Sequence, residues 1–337
     1  MGGALGSGIG WEASMTPQIS VIIPTHDRRA LVEAAILSVL DQGLADIEII
    51  VVDDGSTDGT SDYLRARGLP ITLITQANAG VAAARNAGLR AARGAYVTFL
   101  DSDDLSAPGG LAAFKKALPL DRPTDVLVGR CATFSPTDPA QLSRSNMYNF
   151  APIATGEIVD ASVLFSGFTS ACLCLYSKAA AERVGGFPSL TMGEDYVFNA
   201  RLALAGARFV AIDAVVVHVR LHAAPRLSTA RGAAAVDGYA RLLPLAAELL
   251  DACPAVLEGE ALCRCRRAAG RWLFGIARSC YRLRARDLGD RYLALAQAQA
   301  GRGARAGSPL ARAVFSVLPP RYYEDLTAPL RWMLGLR

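Results

Sequence analysis

The stretch Gly94-Ala-Tyr-Val-Thr-Phe-Leu-Asp-Ser-Asp-Asp-Leu105 is an apolar, β-branched and aromatic run that ends in three carboxylates, Asp101, Asp103 and Asp104. The pattern predicts a buried strand delivering acid to its C-terminal end. In an extended chain the side chains alternate faces, so Asp101 and Asp103 are expected on one side with Ser102 opposite. Two carboxylates on one side attract a hard cation. Mg2+ and Mn2+ prefer oxygen ligands, and Mg2+ takes one or two carboxylates and completes its shell with water and substrate phosphates. Such a site suits a diphosphate-bearing substrate. Taken alone, an Asp-x-Asp pair reads as readily as a solvated acidic turn capping the next helix.

Working outward, Gln18-Ile-Ser-Val-Ile-Ile-Pro24 predicts a central parallel strand closed by proline, followed by the loop Thr25-His-Asp-Arg28. Residues 29–42 place Leu31, Ala34, Ala35 and Val39 at helical spacing, and Gly43 supplies the stop. A second strand, residues 46–52, again ends in acid at Asp53 and Asp54, and Ser56 with Asp58 can start another helix. A third strand (71–74) and an Ala-rich helix (78–93) containing Arg85 and Asn86 lead back to the opening run. Four strand–helix alternations argue for a parallel sheet covered on both faces, with ligands gathered at the C-terminal strand ends, where both acidic clusters lie.

Beyond the opening run, a helix is expected near Gly109–Leu118 and a strand at Asp125–Gly129. Residues 134–154 lose periodicity and gain Pro, Ser and Asn, which predicts a mobile loop flanking the site. Residues 169–176 are strand-like and contain Cys172 and Cys174, read as small hydrophobes in the packing. A turn-rich approach, residues 185–193, precedes a helix that starts with Glu194 and Asp195 and runs to about Ala205. Acid at a helix N-terminus is favourable on dipole grounds alone, so capping is an adequate reading of that pair in isolation. Residues 215–222 form a further strand, with His218 read as an ordinary strand histidine.

The chain has 337 residues, 52% of them hydrophobic, which is ample for a packed core. Residues 1–231 carry a formal charge of −3 and residues 232–337 of +7. Arginine dominates the basic residues; this is read as compositional bias rather than an anion-binding design, and no nucleic-acid partner is expected. Seven cysteines without a C-x-x-C pattern argue against a disulfide framework or structural zinc and fit a reducing cytoplasm. Residues 1–17 are expected to be a flexible tail unlike a signal peptide, and no uncharged apolar stretch is long enough to span a membrane. From Gly232 the chain reads as helical. Its end mixes Phe315, Tyr322, Tyr323 and Trp332 with Arg321, Arg331 and Arg337. That mixture suits an amphipathic segment on an anionic membrane surface, and equally packing on the rest of the chain or on a second subunit.

Taken together, ISVIIPTHDR (19–28), IIVVDDGSTDGT (49–60), ANAGVAAARNAGL (77–89), GAYVTFLDSDD (94–104) and VGGFPSLTMGEDYVFNARLALAG (184–206) resemble family 2 glycosyltransferases with the GT-A fold. The resemblance covers roughly residues 18–230. It implies a Rossmann-like, mostly parallel α/β sheet with helices on both faces, here followed by a C-terminal helical region (231–337) that is a candidate membrane-surface or acceptor contact. It implies inverting transfer of a sugar from a nucleoside diphosphate, with UDP the expected nucleotide, to a hydroxyl of a saccharide or lipid-linked acceptor, with Mn2+ or Mg2+ as cofactor. By position, Pro24, Thr25 and Asp27 would line the nucleotide pocket, although the family commonly has Asn where this chain has Asp27. Asp53 would lie near the base edge and Asp54 would support that loop. Arg85 would contact the nucleotide or its phosphates, and Asp101 with Ser102 the ribose side. Asp103 would bind the metal, with Asp104 a weaker candidate. Asp195 would be the catalytic base with Glu194 beside it. In Val217-His-Val-Arg-Leu-His-Ala-Ala-Pro-Arg-Leu-Ser228, His222 could complete the metal shell and Arg220 or Arg226 neutralise phosphate. Contact with the cytoplasmic membrane face is a further expectation.

Two rival readings are a sugar-phosphate nucleotidylyltransferase and a sugar-nucleotide-binding module without turnover. The first would show a Gly-rich basic loop directly after the first strand, where this chain has Pro24-Thr-His-Asp27. The second is opposed by the presence of Asp101, Asp103, Glu194 and Asp195 together. P-loop, HExxH and GxSxG patterns are absent, and the glycines at 6–10 follow no strand.

Overall fold

In the computed structural model, strand β1 (Ile19–Thr25) is buried along its whole length, as a strand covered on both faces must be. The structure describes residues 16–118, 126–135, 138–144, 155–159, 170–221 and 232–300. Parallel neighbours flank β1: β2 (Ile47–Asp54) on one side and β4 (Tyr96–Phe99) on the other, with β3 (Thr72–Gln76) beyond β2. Register pairs Thr25 with Asp53 and Asp54 with Gln76, so the C-terminal ends of three strands open at one rim. Helices α1 (Arg29–Leu40), α2 (Thr60–Arg67) and α3 (Val81–Ala91) connect these strands. Alanine and Gly88 let α3 lie close on Ile22 of β1, since a methyl group at Gly88 would collide with that side chain.

The second half of the sheet is mixed. Its order is β3-β2-β1-β4-β8-β6-β9-β5, with β8 (Cys174–Ser177) antiparallel to β4 and to β6 (Val126–Ser135). Strand β9 (Phe209–Arg220) runs parallel to β6, and the short β5 (Leu105–Ser106) pairs antiparallel with it. The α/β GT-A architecture expected from the sequence is present. Helix α4 (Gly110–Lys116) packs against β9, and α5 (Lys178–Arg183) and α6 (Glu194–Leu204) follow β8. Three long helices complete the described chain: α7 (Ala233–Ala252), α8 (Gly259–Arg282) and α9 (Arg286–Ala300).

Three local expectations are corrected. Strand β4 ends at Phe99, and Asp101–Asp104 form a turn closed by the Asp104 N–H donating to the Asp101 carbonyl at 2.9 Å, so strand alternation does not set their directions. Of residues 134–154, expected as a loop, 134–135 and 138–144 are strand: β6 continues to Ser135, and β7 (Asp138–Arg144) returns antiparallel beside it, while 136–137 and 145–154 lie outside the described residues. The sequence of β7 has Pro139 among mostly polar residues and so leaves little periodic signal. The segment expected as strand over 169–176 begins instead with a 3-10 turn at Ala171–Leu173, capped by Ser170.

The core runs continuously from the sheet into the C-terminal helices. An aromatic cluster lies under the site. Phe187 stacks on Phe198 at 4.2 Å and meets Phe99 edge-on at 4.9 Å. None of the seven cysteines forms a disulfide, and Cys172 and Cys174 are buried in the packing. No helix among the described residues is long and apolar enough to cross a membrane.

Candidate active site

The ends of β1, β2 and β4, the start of α6 and faces of α7 and α8 enclose a cleft of about 650 Å³. On one wall stand Asp101, Asp103 and Asp104, each offering an oxygen within 4.8 Å of the others. Asp103 is buried and accepts from Arg28 Nη1 at 2.8 Å. Arg220 braces the same turn: its Nε donates to the Asp103 carbonyl and its backbone N–H to Asp104 Oδ1, both at 2.8 Å. Three oxygen donors of one charge in a small space form a hard set of the kind that Mg2+ or Mn2+ prefers. The residues present therefore fit a divalent cation.

Glu194 and Asp195 face the same cleft from the first turn of α6. Gly193, with φ +80°, caps that helix in the left-handed conformation that glycine adopts freely. Helix N-termini favour negative charge, yet two adjacent carboxylates this enclosed need a cation as well. Arg85 supplies it. Its Nη1 donates to Glu194 Oε1 and Asp195 Oδ1, and its Nη2 to Asp101 Oδ1, each at 2.9 Å. The guanidinium, 4% exposed, lies over the Phe187 ring. It therefore joins the acidic turn to the α6 pair, and these contacts occupy both terminal nitrogens. Asp195 Oδ2 additionally accepts from the Ala171 N–H at 3.0 Å and Ser170 Oγ at 3.3 Å.

This burial has an electrostatic consequence. Desolvation, reinforced by the charge of Asp195 and opposed by Arg85, pushes the Glu194 carboxyl up to about 7. Asp195 is also raised, by burial first, against the opposing pull of Arg85 and the Ala171 N–H. An acid that holds its proton near neutrality is suited to accept and release one at that pH.

The other acids expected in the nucleotide pocket are held differently. Asp54 lines the cleft, but its carboxylate accepts from Gln76 Nε2 (2.7 Å), Ala79 N–H (2.9 Å) and Gly80 N–H (2.8 Å), fixing the loop that leads into α3. Asp53 lies behind that wall and accepts from the Ser56 N–H at 3.0 Å and from Ser61 Oγ. Asp27 turns away at φ 49° to accept from the Thr57 N–H at 2.6 Å, and it is not among the residues lining the cleft. Pro24, Thr25, Ser102, Asp101 and Arg85 do line it, and the buried Thr25 Oγ1 has no partner. Arg220 is near the acidic turn without lining the cleft; His222 and Arg226 lie outside the described residues.

Residues not singled out from the sequence also border the cleft. Arg28 is one. His26 and Asn78 are a second group, joined at 3.2 Å, with His26 Nδ1 also 2.9 Å from the Asp54 carbonyl. Tyr239, Leu242, Trp272 and Ile276 come from the C-terminal helices. The Thr25-His-Asp-Arg28 loop was a visible hint of Arg28 and His26. The helical residues carried no local signal, because only tertiary packing brings them here.

The family model described as "Glycosyl transferase family 2" matches residues 20–185. Residues 20–185 are thus a glycosyltransferase family 2 domain. The matched segment contains the acidic turn and Arg85 and ends before Glu194. A validoxylamine A glucosyltransferase of Streptomyces hygroscopicus subsp. jinggangensis is 35% identical over 145 residues, 41% of this chain and 34% of that protein. The chain spans 27% to 38% of the length of the first curated relatives it matches. Among solved structures, S. aureus TarS 1–349 in complex with UDP-GlcNAc superposes with a TM-score of 0.56 at 20% identity, covering 83% of this chain and 91% of that one. The mannosyltransferase PcManGT of Pyrobaculum calidifontis, in complex with GDP-Man and Mn2+, gives 0.50 at 22% identity, covering 96% and 84%. These likenesses show that the family 2 domain has the fold of those enzymes.

Proposed function

We propose that this chain is an inverting glycosyltransferase that moves a sugar from a nucleoside diphosphate, UDP by preference, to a hydroxyl of a saccharide or lipid-linked acceptor in glycan biosynthesis. The observation that carries the reading is the single cleft in which the Asp101–Asp104 turn and the Glu194–Asp195 pair meet across Arg85. Asp195 accepts the proton of the acceptor hydroxyl. The acceptor oxygen bonds to the anomeric carbon as that carbon's bond to the diphosphate oxygen breaks, and the diphosphate leaves with the electron pair. A divalent ion at Asp103 would offset the negative charge that grows on the leaving diphosphate. Pro24, Thr25 and Ser102 shape the nucleotide end, while Arg28 lies at the phosphate end against Asp103.

The nucleotide sugars bound in the TarS and PcManGT structures, and the Mn2+ in the latter, support the donor class and the ion. The nucleotidylyltransferase alternative and the binding-module alternative are both tested by one experiment. A panel of UDP- and GDP-sugars is titrated by calorimetry with and without Mn2+, and turnover with a saccharide acceptor is followed by NMR of the anomeric proton. Metal-dependent binding and a product of inverted configuration are expected. Retained configuration removes the single-displacement mechanism. Binding without turnover under any donor favours the module, and pyrophosphate-dependent nucleotide release favours the nucleotidylyltransferase.

A further inference from the structure

Helices α7 and α8 build the end of the cleft beyond Asp195. A methyl group at Gly193 would sit 2.9 Å from Leu242 Cδ2, so α7 presses directly on the turn that presents the acid pair. The Trp272 ring of α8 lies over Tyr196, the residue after Asp195, with centroids 3.9 Å apart and planes at 32°. Tyr239 of α7 is steadied from behind by Tyr292 of α9, whose hydroxyl donates to the Tyr239 carbonyl at 2.7 Å. The aliphatic residues at this end, Leu242 and Ile276 among them, are buried and already packed, whereas Trp272 and Tyr239 remain partly exposed where they line the cleft.

Charge narrows what can lie there. Both arginines of the cleft lining are engaged by carboxylates, Arg28 by Asp103 and Arg85 by three acids. An anionic group beside Asp195 would meet two carboxylates and no unengaged arginine of that lining, an arrangement that like-charge repulsion disfavours. Open aromatic surface beside the Thr191 hydroxyl and the acid pair suits a flat group with one apolar face and a polar edge.

We propose that Trp272 and Tyr239 form the acceptor subsite, and that the acceptor group seated there is an uncharged pyranoside whose apolar ring face lies against the indole while its reacting hydroxyl reaches Asp195. This rests on the transferase reading above and adds to it the chemical class of the acceptor. It also makes the C-terminal helices part of the site.

The chain has three tryptophans, so replacing Trp11 and Trp332 by Phe in the full-length protein leaves Trp272 as the sole indole reporter. Its emission is titrated, with UDP and Mn2+ present, against methyl hexopyranosides, the matching methyl hexuronides, and octanol as an apolar chain without a ring. A saturable change with at least one neutral pyranoside is expected, with the matching uronide weaker by on the order of tenfold or more. Adding Tyr239→Leu should weaken the pyranoside response by about two- to tenfold, the span of one aromatic contact, with UDP affinity unchanged. No saturable response to any pyranoside, equal binding of the uronide, or a response to octanol alone overturns the proposal. Calorimetry of UDP binding separates the two levels. Intact UDP binding with a silent Trp272 sinks the subsite only, and absent binding of both UDP and GDP sinks the transferase reading with it.

Discussion

Asp54, at the end of β2, and Asp195, at the start of α6, line the same cleft and are held in opposite ways. Asp54 accepts three hydrogen bonds from neutral groups, two of them backbone N–H. Asp195 shares one arginine with two other acids, and burial lifts its pKa. Donors that point at a carboxylate and cannot move make it part of the architecture. A carboxylate buried beside two other acids that share its arginine is left able to change its protonation, which is what proton transfer needs, even though the Ala171 N–H and Ser170 Oγ hold one of its oxygens. Abundance of acid in the motifs is therefore a poor guide to chemistry; the partners of each acid sort them.

Asp195→Asn tests that contrast most severely. Transfer should fall by about 10²–10⁴-fold, the usual worth of a positioned base, while UDP binding in Mn2+ stays near normal in calorimetry. Turnover close to that of the parent would remove Asp195 from the role. Next in size is Arg85→Met, which leaves the enclosed Glu194 and Asp195 and the part-exposed Asp101 without their shared cation. A loss of roughly 3–5 kcal/mol in denaturant unfolding is expected, and an unchanged midpoint would mean that water replaces the guanidinium. On the architectural side, Asp54→Ala strands the Ala79 and Gly80 N–H groups and should cost about 1–3 kcal/mol. An Asp54→Asn variant, which keeps one acceptor oxygen, should recover part of that, and no recovery would point to charge rather than hydrogen bonding.

A smaller effect belongs to Arg28. It pairs with Asp103 where the donor set fits a divalent ion, so the two cations compete for one carboxylate. Arg28→Gln should tighten Mn2+ binding without nucleotide by on the order of tenfold, since a hydrogen bond to a charged group is worth about 1.5–3 kcal/mol. Electron paramagnetic resonance of free Mn2+ measures this directly. Equal affinity would make the ion pair incidental.

The parallel half was legible because its strands are short apolar runs, two of them running into the acids Asp53, Asp54 and Asp101, a pattern local enough to read residue by residue. What escaped was turn geometry and whatever depends on contacts distant in the chain. Asp101–Asp104 converge through a turn, which alternation along a strand does not describe. Arg85 reads as a free cation until Glu194 and Asp195, more than a hundred residues on, fold against it. The β7 edge strand has no apolar period to betray it. Trp272 lies on a helix whose amphipathic pattern says only that one face is buried; it does not say that part of this face borders a cleft.

The mildest test concerns pH. Glu194 holds its proton up to about 7, first because it is buried and then because Asp195 repels its charge. A carboxyl raised above its ordinary 4.5 binds a proton more tightly in the folded protein than in the unfolded chain. Its ionisation therefore costs stability progressively as pH climbs from that value to about 7, and the cost is absent below it. Two readouts follow from one substitution. In the parent, the transfer rate should rise with pH through an acid limb near 7, because the coupled Glu194–Asp195 pair must be deprotonated before Asp195 can accept a proton. In Glu194→Gln the limb should move to lower pH, and the fall in melting temperature between pH 5 and pH 8 should shrink, since only one of the two carboxyls still has to ionise. If the limb stays near 7 while the melting profile flattens, Glu194 sets the stability of α6 but not the proton affinity of the base. In that case the contrast with Asp54 narrows to Asp195 alone.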